Sequence, residues 1–193
     1  MESWGSMKSQ SELWVILQDD ELNHVWDMVD SQFSFNPSMN TGAPPFIFEM
    51  PVDSYDISQS PIYCGDETTK GIIKSVFIQC MDNDDFMYAL DWQHTCFRYN
   101  PRISVKIEYP VFVPDESLPL SMRHLPFGGY NVYFPEFYPN GDYYFFIAKD
   151  FRWGYLTHPW LKKAWVYGDN LMLLFKKHAV KLGFIQCNDD WSN

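Results

Sequence analysis

The stretch Tyr138-Pro-Asn-Gly-Asp-Tyr-Tyr-Phe-Phe-Ile-Ala-Lys-Asp-Phe-Arg-Trp-Gly-Tyr-Leu-Thr-His-Pro-Trp160 decides the fold, together with Leu161 to Gly168 behind it. Pro139-Asn-Gly-Asp142 is a turn signal, because Asn and Gly tolerate positive φ and Asp can bond its own backbone. Tyr143 to Ala148 is aromatic and apolar at successive positions, which predicts a central strand covered on both faces. Gly154 permits a bend before a second strand, Tyr155 to His158, and Pro159 ends it because proline donates no ladder hydrogen bond. Ala164 to Tyr167 is a third short strand. Gly168-Asp169 reads as a stop and a helix N-cap, and Leu171, Leu174, Phe175 and Leu182 then share one helix face. The unit is a three-stranded meander closed by a helix.

Working outward, Leu22, Val25, Trp26, Val29 and Phe33 recur at helical spacing over Asp20 to Phe33, with Asp19 or Asp20 placed to cap the start. Phe46 to Met50 reads as a strand between prolines, and Pro51 to Gly65, with no clear period, as a loop. From Asp66 the pattern is helical again through Ile72, Ile73, Val76, Phe77 and Cys80. Phe86 to Trp92 and Phe97 to Tyr99 read as strands joined by Gln93 to Cys96. Arg102 to Glu108 alternates as a half-buried strand does. Residues 110–129 are prolyl and irregular, an expected insertion. The fold class predicted is α+β: an antiparallel sheet of about five to six strands packed with two helices from the first half and one C-terminal helix.

A chain of 193 residues suits a single domain over 1–193. Residues 1–10 are expected to be disordered or a tag remnant, with Met7 as a natural start. No apolar run reaches the roughly 20 residues of a membrane span, and the N-terminus lacks a secretory pattern, so a soluble cytoplasmic protein is expected. The four cysteines are widely spaced, which is neither a zinc pattern nor a disulfide framework, and buried thiols are expected. Net charge is −11, and residues 1–100 carry 16 acidic and 4 basic groups. Such a balance repels phosphates, disfavours direct nucleic-acid binding and complements a basic partner.

Four places resemble an uncharacterised bacterial family, domain-of-unknown-function family 2716. They are Val25-Trp-Asp27 with Phe33 and Phe35-Asn-Pro-Ser38; Tyr88-Ala-Leu-Asp-Trp-Gln-His94; Tyr138 to Tyr144; and Asp150-Phe151 with Gly154, His158-Pro-Trp160 and Val166-Tyr-Gly168. The resemblance implies a fold and no reaction. The meander with its terminal helix is also similar in layout to bacterial immunity proteins, an analogy of fold alone.

Two functional expectations follow. The leading one is a cytoplasmic acidic binding protein of the immunity or antitoxin kind, which occludes a basic toxin or nuclease domain and needs no cofactor or metal. Glu21, Asp27, Asp30, Asp82, Asp84 and Asp85 would steer the partner, and Tyr130, Tyr133 and Phe137 would anchor it. The alternative is a metal-dependent or acid/base hydrolase using Asp91, His94, Asp142, Asp150 and His158, carboxylates and imidazoles near predicted strand ends. No His-Glu-x-x-His, Cys-x-x-Cys, phosphate-binding Gly-rich loop or Gly-x-Ser-x-Gly motif accompanies them. Asp91 is the least comfortable of the five, because a carboxylate in an apolar strand needs a partner, and His94 or Arg98 could supply it.

Overall fold

The structure, a computed structural model, describes residues 14–38, 45–83, 85–103, 111–123 and 125–187. The meander expected from the sequence stands at its centre as β7 (Tyr144–Ala148), β8 (Gly154–His158) and β9 (Lys163–Tyr167). These join an eight-stranded antiparallel sheet in the order β1-β4-β3-β7-β8-β9-β2-β10. Its other members are β1 (Trp14–Ile16), β2 (Val52–Asp56), β3 (Met87–Asp91), β4 (Phe97–Tyr99) and β10 (Ile185–Cys187). A separate two-stranded sheet pairs β5 (Val111–Pro114) with β6 (Gly129–Val132).

Three helices cover the large sheet. α1 (Asp19–Phe33) lies on one face, where Val25, Val29 and Phe33 meet Phe145, Ile147, Leu156 and Trp165. α2 (Glu67–Cys80) and α3 (Asp169–Leu182) lie on the other, where Phe77 and Phe175 meet Phe146, Tyr155 and Val166. Successive residues of β7 therefore enter opposite cores, which accounts for the unbroken apolar run in the sequence. The α+β class holds, with more strands than expected.

Several local expectations change. Phe46 to Met50 forms no strand. Its backbone is tied to the end of α1, with the Ile47 N–H donating to the Phe33 carbonyl at 2.7 Å, while Phe46 is buried against Tyr143, Phe145 and Trp165. The segment lays aromatic rings over the sheet and adds no strand to it. The strand lies instead in the supposed loop, as β2, whose Asp53 and Ser54 pair with Val166 and Trp165 of β9. Asp19 and Asp20 occupy the first turn of α1, where they oppose the helix dipole, and Gln18 is the N-cap without a side-chain bond. Asp66 does cap α2, accepting from the Thr69 N–H at 2.7 Å. α3 is capped by Gly168 at φ 91, and Asp169 is its first residue.

Gly154 opens β8 because the Tyr167 ring lies against it, and a Cβ there would come within 2.6 Å of that ring. The supposed insertion is bracketed by the small sheet, and residues 115–123 and 125–128 run in turns and bends between its two strands. The predicted strand Arg102 to Glu108 lies mostly outside the described residues, and Arg102 itself sits in a turn. Cys80 and Cys96 are buried thiols as expected, whereas Cys64 is exposed and Cys187 half-buried.

Candidate functional site

β3 and β7 run antiparallel with Asp91 opposite Tyr144, so the end of one strand and the approach to the other lie side by side. Asp142 precedes β7 by two residues and points to the same face as Tyr144 and Asp91. After β3 the chain turns through Trp92 and Gln93, and the His94 N–H donates to the Asp91 carbonyl at 3.4 Å, which folds the imidazole back over both acids. His94 Nδ1 lies 2.9 Å from Asp91 Oδ1 and 3.4 Å from Asp142 Oδ2. The carboxylates are nine-tenths buried, their side chains 6% and 7% exposed, whereas that of His94 is 66% exposed.

The electrostatics follow from this burial. Desolvation pushes the Asp91 carboxyl up to about 6, against the pull of His94, and Asp142 beside it adds to the rise. The hydrogen bond to Asp91 holds the His94 imidazole above its ordinary value. Chemically, the arrangement is an open imidazole backed by two acids, able to carry a proton or to present one nitrogen and two oxygens to a cation.

The other two members of the expected set stand apart. His158 is fully buried on the opposite face of the sheet, packed on Tyr143 and Trp165. Its Nδ1 accepts the N–H groups of Trp160 and Leu161, both at 3.2 Å, so its lone pair is there and Nε2 carries the proton toward the Tyr143 hydroxyl at 3.2 Å. Burial holds this neutral imidazole down to about 4. Asp150 is exposed at the far end of β7, 3.5 Å from Arg152. Three of the five residues converge and two do not. Arg98, the other partner considered for Asp91, forms a bidentate pair with Glu21 at 2.7 and 2.6 Å.

The residues expected to meet a partner also divide. Glu21 is engaged by Arg98, and Asp85 is buried and paired with Lys149, with Arg152 4.0 Å away. Both are neutralised within the chain and unsuited to steering. Asp82 lies 3.6 Å from Arg152 yet its side chain is 86% exposed, and Asp27 and Asp30 are exposed on α1. Asp84 lies outside the described residues. Phe137 is core, packed edge-on and tilted against Phe77 and Phe146, so it cannot anchor a partner as placed. Tyr130 and Tyr133 are exposed.

The sequence reading missed the company these tyrosines keep. Phe112, Leu120, Met122 and Phe127 are exposed in the same excursion between β5 and the end of β6. The small sheet turns Val113 and Val132 toward the core and leaves Phe112, opposite Asn131, facing outward. Its irregular, prolyl composition concealed that pattern. A cavity of about 430 Å³ lies elsewhere, between the end of α2 and the start of α3, lined by Cys80, Asp82, Arg152, Trp153, Gly168 and Asn170 among others.

Comparison with known proteins agrees with the residue pattern. The chain is 28% identical over 169 residues to the Bacillus subtilis (strain 168) protein named "Uncharacterized protein YxiI", covering 82% of this chain and 90% of that one. No solved structure matches it. Residues 16–172 match the model of a family described as "Protein of unknown function (DUF2716)", from β1 to the first turn of α3. With both central strands, the Asp91–His94–Asp142 cluster and the β5–β6 excursion inside that span, the chain belongs to the DUF2716 family.

Proposed function

We propose that the protein is a cytoplasmic acidic binding protein of the immunity or antitoxin kind, which occludes the working surface of a basic toxin or nuclease domain. The observation that carries the reading is the β5–β6 excursion, a single segment in which Phe112, Leu120, Met122, Phe127, Tyr130 and Tyr133 are each exposed. Exposed aromatic and large apolar side chains concentrated in one segment are the usual anchors of protein contacts. Charge adds to this. Asp27 and Asp30 on α1, with Asp82, supply the exposed acids, and complementary charge raises association rates and selects basic partners.

The excursion and α1 lie on opposite faces of the sheet but flank one edge. Phe134 packs on Phe97 and Tyr99 of β4 from one side, and Glu21 of α1 bonds Arg98 of β4 from the other. A partner engaging both wraps the β1–β4 edge.

The test is capture from a lysate of the source organism at low and physiological salt, comparing the wild type with Phe127→Ala/Tyr133→Ala and with Asp27→Asn/Asp30→Asn. The expected result is a basic toxin-like or nuclease-like protein whose activity falls on binding. The aromatic pair should abolish retention, and the acid pair should weaken it most at low salt. Equal capture by all three proteins, or a captured partner that stays fully active, overturns the proposal.

A second reading, acid/base or metal-dependent hydrolysis, is favoured by the convergence of Asp91, His94 and Asp142. In it the exposed His94 transfers the proton and the buried acids orient it.

A further inference from the structure

We infer that Asp91, His94 and Asp142 form a binding site for one divalent transition-metal ion, whichever of the two functional readings holds. The argument begins with a charge count. Two carboxylates, each more than nine-tenths buried, face one imidazole that carries at most one positive charge. No Lys or Arg among the described residues is paired with either acid: Arg98 is spent on Glu21, and Lys149 and Arg152 serve Asp85 at the opposite end of β7. Buried carboxylates brought together without a matching cation are costly, and a bound cation removes that cost.

The donors are equally uneven. Asp91 Oδ1 accepts from His94 Nδ1 and, at 3.4 Å, from the Gln93 N–H, while Asp142 Oδ1 accepts from the Tyr143 N–H at 2.7 Å. Asp142 Oδ2 takes the longer His94 contact, and the two carboxyl groups also lie within hydrogen-bonding reach of each other. A backbone N–H thus holds one oxygen of each carboxylate, as outer-shell donors do for metal ligands.

The spacing fits. All three ligand atoms lie within 4.8 Å of one another, with His94 Nδ1 at 2.9 and 3.4 Å from the two acids. Ligands about 2.1 Å from a tetrahedral ion stand roughly 3.4 Å apart. One nitrogen with two carboxylates suits zinc, manganese, cobalt or ferrous iron, and the thiols lie outside the set. The exposed side of His94 leaves the remaining coordination positions open to water or to a ligand. Binding requires the Nδ1 proton of His94 to leave, so uptake of the ion releases protons and strengthens as pH rises.

The experiment uses tag-free, chelator-treated protein titrated with Mn²⁺, Co²⁺ and Zn²⁺ separately, by calorimetry and, for Co²⁺, by visible absorption. One equivalent per chain is expected for at least one ion, with a cobalt spectrum lacking sulfur charge transfer. Affinity should fall at least tenfold in Asp142→Asn and in His94→Ala. The latter changes an exposed side chain and should keep the wild-type circular dichroism spectrum, so it keeps the test decisive if the buried substitution unfolds the chain. Absence of stoichiometric binding by the wild type, or binding that His94→Ala leaves unchanged, overturns the site.

Discussion

The two faces of the sheet at the Asp142–Tyr143 end carry the same kind of residue in opposite electrical states. On the α2–α3 face, His94 is exposed, faces two buried carboxylates and is held above its ordinary pKa. On the α1 face, His158 is buried among Tyr143, Trp160 and Trp165, accepts two backbone N–H groups and is held down to about 4. Adjacent residues, Asp142 and Tyr143, direct the two environments because side chains alternate across a strand. The difference teaches that one histidine is available for chemistry and the other is a neutral element of the core. The type of residue says nothing about which is which; the donors and acceptors around each ring decide it.

The largest effect expected from this contrast is a loss of stability in acid that belongs to His158. Its folded-state pKa is depressed, so between its unfolded value near 6.5 and about 4 the unfolded chain binds the proton first. Stability is full above that window and falls as pH drops through it, by about 3 kcal/mol. Asp91, raised to about 6, acts in the reverse sense and loses stability as pH rises over much of the same range. The His158 share is therefore read as the difference in urea unfolding free energy between the wild type and His158→Gln, from pH 7 to pH 4. A difference that stays constant with pH would remove the contrast between the two rings.

Tyr143→Phe should cost less, about 2 kcal/mol by the same measurement at neutral pH. The hydroxyl accepts the Ser38 N–H at 3.1 Å, donates to the Ser38 carbonyl at 2.8 Å and meets His158 Nε2. Its removal also shifts the His158 window, which a pH series on the variant would record. The smallest effect, opposite in sign, is expected on the other face. Asp142→Asn retains an oxygen for the Tyr143 N–H but removes one of two crowded carboxylates, so metal-free protein should gain up to about 1 kcal/mol at pH 7. A loss there would mean that the paired acids are satisfied as they stand.

Parts of this were legible beforehand for a physical reason. The β7–β9 meander, α1, α2 and α3 have apolar residues at the spacing their own geometry demands, so local sequence contains the signal. The strands β1, β2 and β10 do not. They are short or polar, and they exist because a neighbouring strand offers an unpaired edge, as β9 does for β2 and β2 for β10. The same distinction runs through the site. Asp91 and His94 lie three residues apart, and a turn brings them together; Asp142 arrives only through the β3–β7 register.

By itself, then, the sequence determined the helices, the central meander, the two-sided apolar character of β7 and the abundance of acid over base. Those properties are written in periodicity and composition. The tertiary structure alone decided that Glu21 and Asp85 are spent on Arg98 and on Lys149, that Phe137 is core while Tyr133 faces outward, and that His94 and His158 take different faces. Charge pairing and burial depend on what other strands and helices place nearby, and pairs such as Glu21 with Arg98 join residues far apart in the chain.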